Sequence, residues 1–231
     1  MSIFRFFQRA DPLANTSADF REFYRNFISV VSAADGDLAR EGLNESVIAK
    51  LTPDERIEAE RLLLERLGAG GDSRTAIGLG LLGSRKAGTP LRVRMAVQDR
   101  ESFPSPAYAE ALWRIERDPR AVDALVAMAR NPQVRSSPRV DAVCALSEMP
   151  SDVTRQALME ILWTEPDYLL RYHSFKGILM LHGYPWKEAN DHAGKMAPQI
   201  GGALARPEAR RAVLARLEEL TAGRTLVTLD P

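Results

Sequence analysis

A small residue followed by an aliphatic one recurs at Gly80-Leu81, Ala111-Leu112, Ala145-Leu146 and Gly177-Ile178, at intervals of 31, 34 and 32 residues. A period of this length marks a supersecondary unit used several times in succession. The segments that carry these pairs, "SRTAIGLGLLG", "SPAYAEALWRI", "SPRVDAVCALSEM" and "LLRYHSFKGILMLHG", place their apolar residues at helical spacing. Between them lie "RKAGTPLRVRMAV", "DPRAVDALVAMAR" and "SDVTRQALMEILW", which are helical by the same criterion. The unit is therefore a pair of helices. One such pair cannot bury its apolar face alone, so neighbouring pairs must stack closely, and small residues at the recurring positions permit that approach. Bulky substitutions at Ala142 or Ala145 should overpack the stack.

The chain on either side of these segments is also helical in pattern, which makes the expected fold class all-α. "ADFREFYRNFISVV" sets Phe20, Phe23, Tyr24, Phe27, Ile28 and Val31 on one face of a helix. "LTPDERIEAERLLLERLG" has a capping Thr52, Pro53 at the first helical position, acids in the first turn and a closing Gly68. A third helix is expected around Leu38 to Leu51. Six of the eight phenylalanines fall within the first 27 residues, so the Phe-rich helix is expected to cover the first repeat. At the other end, "RPEARRAVLARLEELTAG" reads as an amphipathic helix followed by the extended or strand-like tail "RTLVTLDP". The expectation is one domain over 1–231: cap helices over 1–50, repeats over 51–185, and a C-terminal cap helix with its tail over 186–231.

In "DYLLRYHSFKGILMLHG", Asp167, Leu170-Arg171, Ser174, Gly177-Ile178 and Gly183 follow a pattern of Asp, Val/Leu-Arg, Ala and Ala-Leu at helical intervals. Pro138-Arg139, Ala142 and Ala145-Leu146 follow it partly, while Ser105, Tyr108 and Ala111-Leu112 keep only its spacing. In this the chain resembles the HEAT-repeat family, particularly its short bacterial variety, over roughly residues 50 to 185. The resemblance implies a right-handed α-α superhelix, a HEAT-like solenoid of about four to six helix pairs with atypical terminal caps. It also implies binding through a concave face lined by the second helix of each pair.

Composition narrows the functions open to such a fold. Of 231 residues, 45% are hydrophobic and 27% charged, and 31 basic residues balance 31 acidic ones. A net charge of zero supplies no global field toward nucleic acid or an anionic membrane. Cys144 is the single cysteine, so an intramolecular disulfide and a thiol-rich metal site are both excluded. The start, "MSIFRFFQRADP", breaks its apolar run at Gln8, Arg9 and Asp11, unlike a secretory signal. No segment offers ~18 uninterrupted apolar residues. The expected setting is the cytoplasm.

Individual chemistries fare poorly as sequence patterns. His173 and His182 are nine residues apart on one helix, hence on opposite faces at about 100° per residue, and cannot share a metal ion. The His-Glu dipeptides that mark di-iron HEAT hydroxylases are missing. Cys144 lies in the stripe "VDAVCAL", where a free cysteine serves as a small hydrophobe. "GAGGDSRTAIGLG" lacks the ending of a phosphate loop and any preceding strand. Some HEAT-like proteins are alkylpurine DNA glycosylases, and Trp113, Trp163, Trp186 and Asp141 supply residue types of that kind. Arg85, Lys86, Arg92, Arg94 and Arg100 add local positive charge against the single acid Asp99. The zero net charge argues against a duplex-binding groove.

What remains is recognition by surface shape. Glu110, Arg114, Asp141, Glu148, His173 and Lys176 project from the second helices, and their mixed signs suit a mosaic protein surface rather than a polyanion. The expectation is a non-enzymatic protein-binding scaffold of bacterial type, without cofactor or metal. Its specific version is an immunity-type protein that neutralises a cognate toxin. The alternative is a HEAT-like enzyme acting on DNA or a chromophore lyase. Arg171-Tyr172-His173 poses the sharpest choice between the two, since it looks like a reactive cluster set in a repeat helix.

Overall fold

A computed structural model of the protein describes residues 13, 16–29, 43–97 and 106–227. Among these the protein is all-α, with thirteen α-helices and no strand. The helices are α1 (Ala18–Phe23), α2 (Val47–Lys50), α3 (Pro53–Gly68), α4 (Ser73–Leu82), α5 (Gly88–Val97), α6 (Pro106–Glu116) and α7 (Pro119–Arg130). They continue as α8 (Ser136–Leu146), α9 (Asp152–Thr164), α10 (Tyr168–Leu181), α11 (Trp186–Lys195), α12 (Ala197–Gly202) and α13 (Pro207–Thr221). Of the expected helix around Leu38 to Leu51, the described part is the short α2. Val31, Asp99, Arg100, Ser105 and the last four residues lie outside the described residues.

The helix boundaries follow from capping chemistry. Thr52 and Glu55 form a reciprocal capping box at α3, with Pro53 at the first position, where its missing N–H is not needed. Gly68 is the last helical residue of α3, and the reversal falls at Gly70 and Gly71, whose φ values of 133° and 56° suit glycine. Asp72 accepts a hydrogen bond from the Thr75 backbone N–H and so starts α4 within four residues of the end of α3. Asp118, Ser151 and Asp167 cap α7, α9 and α10 in the same manner. Short connections force consecutive helices to lie side by side. Accordingly α3 packs on α4, α5 on α6, α7 on α8 and α9 on α10.

The second members of these pairs also pack on one another in series, α4 on α6, α6 on α8 and α8 on α10. The recurring small residues stand where they meet. A Cβ placed on Gly80 would come within 3.0 Å of the Ala111 Cα, and one on Gly177 within 3.0 Å of the Ser147 Cβ and the Leu158 Cδ1. Ala142 and Ala145 are buried, as the close-approach argument requires. So are Leu170, Ser174, Ile178 and Leu181 along the inner side of α10.

Both ends of the series are covered. Phe20, Phe23 and Phe27 are buried, with successive ring centroids 5.5 and 5.4 Å apart, and α1 runs into a π-helical turn over Tyr24–Ile28. That turn packs on α3 and α4, and the Phe27 ring reaches to 3.0 Å from the Cβ position of Gly78. Burying each such ring contributes roughly 1.5–3 kcal/mol. At the other end α11, α12 and α13 pack against α10. Beyond α13 the described tail forms a turn and no strand, and the Val227 N–H donates to the Leu181 carbonyl at 2.9 Å.

Candidate functional site

The six expected surface residues come together along α6, α8 and α10, and the repeat register explains why. Glu110 and Lys176 each stand one residue before the recurring small position, at Ala111 and Gly177. Arg114 and Glu148 each stand three residues after it, at Ala111 and Ala145. Because α6, α8 and α10 pack in order, equal register becomes spatial adjacency. Arg114 Nε donates to Glu110 Oε1 at 3.0 Å, and Arg114 Nη2 lies 3.8 Å from Glu148 Oε2. One guanidinium thus joins α6 to the end of α8. Asp141 and His173 stand four residues before the small position on α8 and α10 and are half-buried.

Two of the six do not project into solvent. Glu110 and Lys176 are only 3% and 4% exposed, because the close packing set by the small residues also closes over the side chains next to them. The Lys176 ammonium lies over the Trp186 ring, 5.1 Å from its centroid, in a cation–π contact. Burial lowers the Lys176 pKa below the usual lysine range, opposed by the negative charge available at Cys144 and Glu148. His173 is pushed down to about 4, first by burial and then by the positive charge of Lys176. Its imidazole is neutral at neutral pH.

Cys144 departs from the expectation of a buried small hydrophobe. It is only half-buried, and its Sγ lies 3.4 Å from His173 Nδ1, within hydrogen-bond range for sulfur. The apolar stripe "VDAVCAL" hid this, since α8 is in contact on several sides and has no single apolar face. Register would have revealed it: Cys144 occupies on α8 the position that Glu110 occupies on α6 and Lys176 on α10.

The cluster Arg171-Tyr172-His173 divides three ways. Arg171, 4% exposed, donates to the carbonyls of Glu165, Pro166, Ile200 and Gly201 at 2.8–3.2 Å and ties the start of α10 to α12. The Tyr172 hydroxyl donates to Asn190 Oδ1 on α11 at 3.2 Å, and burial raises its pKa. His173 turns to Cys144 on α8. Tyr172 and His173 meet ring edge to ring face at 5.4 Å, with no hydrogen bond between them.

Other candidate chemistries are dispersed. The three tryptophans each carry a different cation, Arg117 on Trp113, Arg210 on Trp163 and Lys176 on Trp186, and form no common stacking surface. In the basic stretch Lys86 pairs with Glu60, Arg92 with Glu116, and Arg94 donates to the Leu67 carbonyl. His182 meets the Arg224 carbonyl and His192 meets Arg216. Among the described residues no group of three or more His, Cys, Asp and Glu could hold a metal ion. A cleft of about 530 Å³ opens between α7, α8, α9 and the start of α10. Its charges are already engaged, Arg139 with Glu165, Arg130 with Glu160, and Asp167 with the Ser136 hydroxyl.

No helix of the described residues is long and apolar enough to cross a membrane. Comparison of the chain with protein-family models, curated proteins and solved structures finds no match.

Proposed function

We propose that this chain is a HEAT-like α-solenoid, coiled as a right-handed superhelix, that binds another protein through the face formed by α6, α8 and α10. The observation that carries this reading is the packing of α6, α8 and α10 in series, which sets the partly exposed Arg114, Asp141, Glu148 and His173 on neighbouring helices. A repeat architecture places equivalent side chains side by side, and an extended binding surface needs such a row. Along it the charges alternate in sign and pair with one another, which favours a partner of mixed charge over a polyanion. The covered ends of the series support a stack that is closed to further self-addition. The specific version is an immunity-type protein that occludes the active site of a cognate bacterial toxin.

Affinity capture from the native source tests this. The wild-type chain should retain one protein in stoichiometric amount, and Asp141→Lys with Glu148→Lys should release it. Arg61→Glu, on the opposite member of a helix pair, should keep it. Recovery of nucleic acid in place of a protein, with binding that falls steeply as salt rises, would overturn the reading in favour of an enzyme acting on DNA.

A further inference from the structure

We propose that Tyr168 and Tyr172, with Asp191, form a site for a cationic side chain, an arginine or lysine presented by the protein partner. The inference rests on the protein-binding reading and names the chemistry that the α10 end of that face recognises.

The site lies where α10 meets α11. Tyr168 and Tyr172 are one turn apart on α10, with ring centroids 5.9 Å apart and planes inclined at 46°. Tyr168 is 38% exposed and Tyr172 is half-buried. Both rings are anchored: Tyr168 packs 3.8 Å from the Cβ position of Gly201 on α12, and the Tyr172 hydroxyl donates to Asn190 Oδ1 on α11 at 3.2 Å. Rings already fixed in place lose little freedom when a ligand arrives. Asp191 follows Asn190 in the chain and is exposed. Burial first, then Tyr168, then the negative charge of Asp191 raise the Tyr172 pKa, so the carboxylate is within electrostatic reach of the pair.

A cation is the group this arrangement lacks. Elsewhere in the chain Trp113, Trp163, Trp186 and Tyr184 each have a lysine or arginine over the ring, 4.0–5.7 Å from the centroid. Among the described residues no cation lies over Tyr168 or Tyr172, and none forms an ion pair with Asp191. Arg171, between the two tyrosines in sequence, spends its donors on four backbone carbonyls. His173, whose ring meets that of Tyr172, is neutral at neutral pH and adds no like charge. The negative face of a phenol ring attracts a cation, and a carboxylate beside it adds a charge-assisted hydrogen bond. A guanidinium uses both at once, lying flat on a ring while its edge donates to the carboxylate. An anion would meet Asp191 and the ring faces with the wrong sign, and an uncharged side chain would leave the carboxylate unused.

The experiment titrates the full chain with N-acetylarginine amide and follows the ring signals of Tyr168 and Tyr172 by NMR. N-acetylcitrulline amide, nearly equal in shape and uncharged, is the comparison. The arginine derivative should shift both ring signals saturably and bind about fivefold more tightly than the citrulline one. Asp191→Asn and Tyr168→Leu should each weaken it about threefold, whereas Glu58→Gln, which removes an exposed carboxylate on α3, should leave it unchanged. Equal binding of the two derivatives, or arginine binding that both Asp191→Asn and Tyr168→Leu leave intact, overturns the proposal. The probe reads the site without the partner, so loss of the arginine preference while a protein is still captured counts against the site alone and not against the scaffold.

Discussion

Arg139 and Arg171 stand six residues before the recurring small residue of α8 and α10, whereas Cys144 and Lys176 stand one residue before it. Both rows are polar, both are carried by the same helices, and their cations are held in different ways. Arg139 donates to the Ala129 carbonyl at 2.9 Å and pairs with Glu165, and Arg171 satisfies four carbonyls. Arg74, at the same register on α4, donates to the Asn26 carbonyl at 3.2 Å. Lys176 has only an aromatic face. A planar guanidinium with several fixed donors suits a junction where helix ends leave carbonyls unpaired. The first row therefore fastens the pairs together, whereas the lysine of the second meets the face of an aromatic ring.

The largest effect should come from breaking the first row. Arg139→Ala strands the Glu165 carboxylate, whose side chain is 10% exposed, and should destabilise the chain by ~3–5 kcal/mol in urea denaturation. Arg171→Lys keeps the charge but not the fork, and should lose most of what Arg171→Ala loses. If Arg171→Lys were as stable as the wild type, the four carbonyl contacts would not be holding α10 to α12. Replacing Arg139 and Glu165 together by methionines should recover much of the loss, since no unpaired charge then remains.

Next in size is the approach that creates both rows. Gly80→Val places a branched side chain 3.0 Å from the Ala111 backbone, which cannot move without shifting α6. The expected loss is ~1–3 kcal/mol, measured by thermal or urea unfolding. It should exceed any gain from replacing a mid-helix glycine, about 1 kcal/mol at most. A neutral result would mean that α4 and α6 are free to separate.

His173, which neighbours the second row, gives a pH signature. In the folded chain His173 titrates at about 4 against 6.5 when unfolded. Between those values the unfolded chain binds the extra proton, so stability contributed by neutral His173 is complete above about 6.5 and falls as pH drops toward 4. Unfolding free energy should therefore decline across this window in the wild type, and less steeply in His173→Gln. Equal slopes in the two proteins would show that the imidazole is not held neutral by burial and Lys176.

These contrasts also show which parts of the molecule could be read from sequence. The pairing of helices was legible because capping residues and the small-aliphatic recurrence are local signals: Thr52, Asp72 and Asp118 act within a few residues of themselves. That the six residues lie on helices packed in series followed from the repeat register. Burial of Glu110 and Lys176 was not legible, since it depends on how closely α6, α8 and α10 pack. The half-exposed setting of Cys144 was not legible for a related reason. Its stripe is apolar in composition, but α8 is contacted by α6, α7, α9 and α10, and which neighbour each side chain meets is settled only by packing.

The smallest effect is the one that most directly sets the two rows apart. Lys176→Met keeps the length of the stem beside Trp186 and removes a largely buried charge whose ammonium rests on a ring rather than in an ion pair. Replacing a poorly compensated buried ion by an apolar side chain of similar volume is commonly neutral or stabilising. The expected change is therefore ~0–1 kcal/mol in the favourable direction at pH 7, opposite in sign to Arg171→Met, which leaves four carbonyls without donors. Both positions hold a basic residue that is 4% exposed on the same helix. If the two methionine variants lost stability equally, burial rather than the way each cation is held would govern both, and the distinction between the two rows would fail.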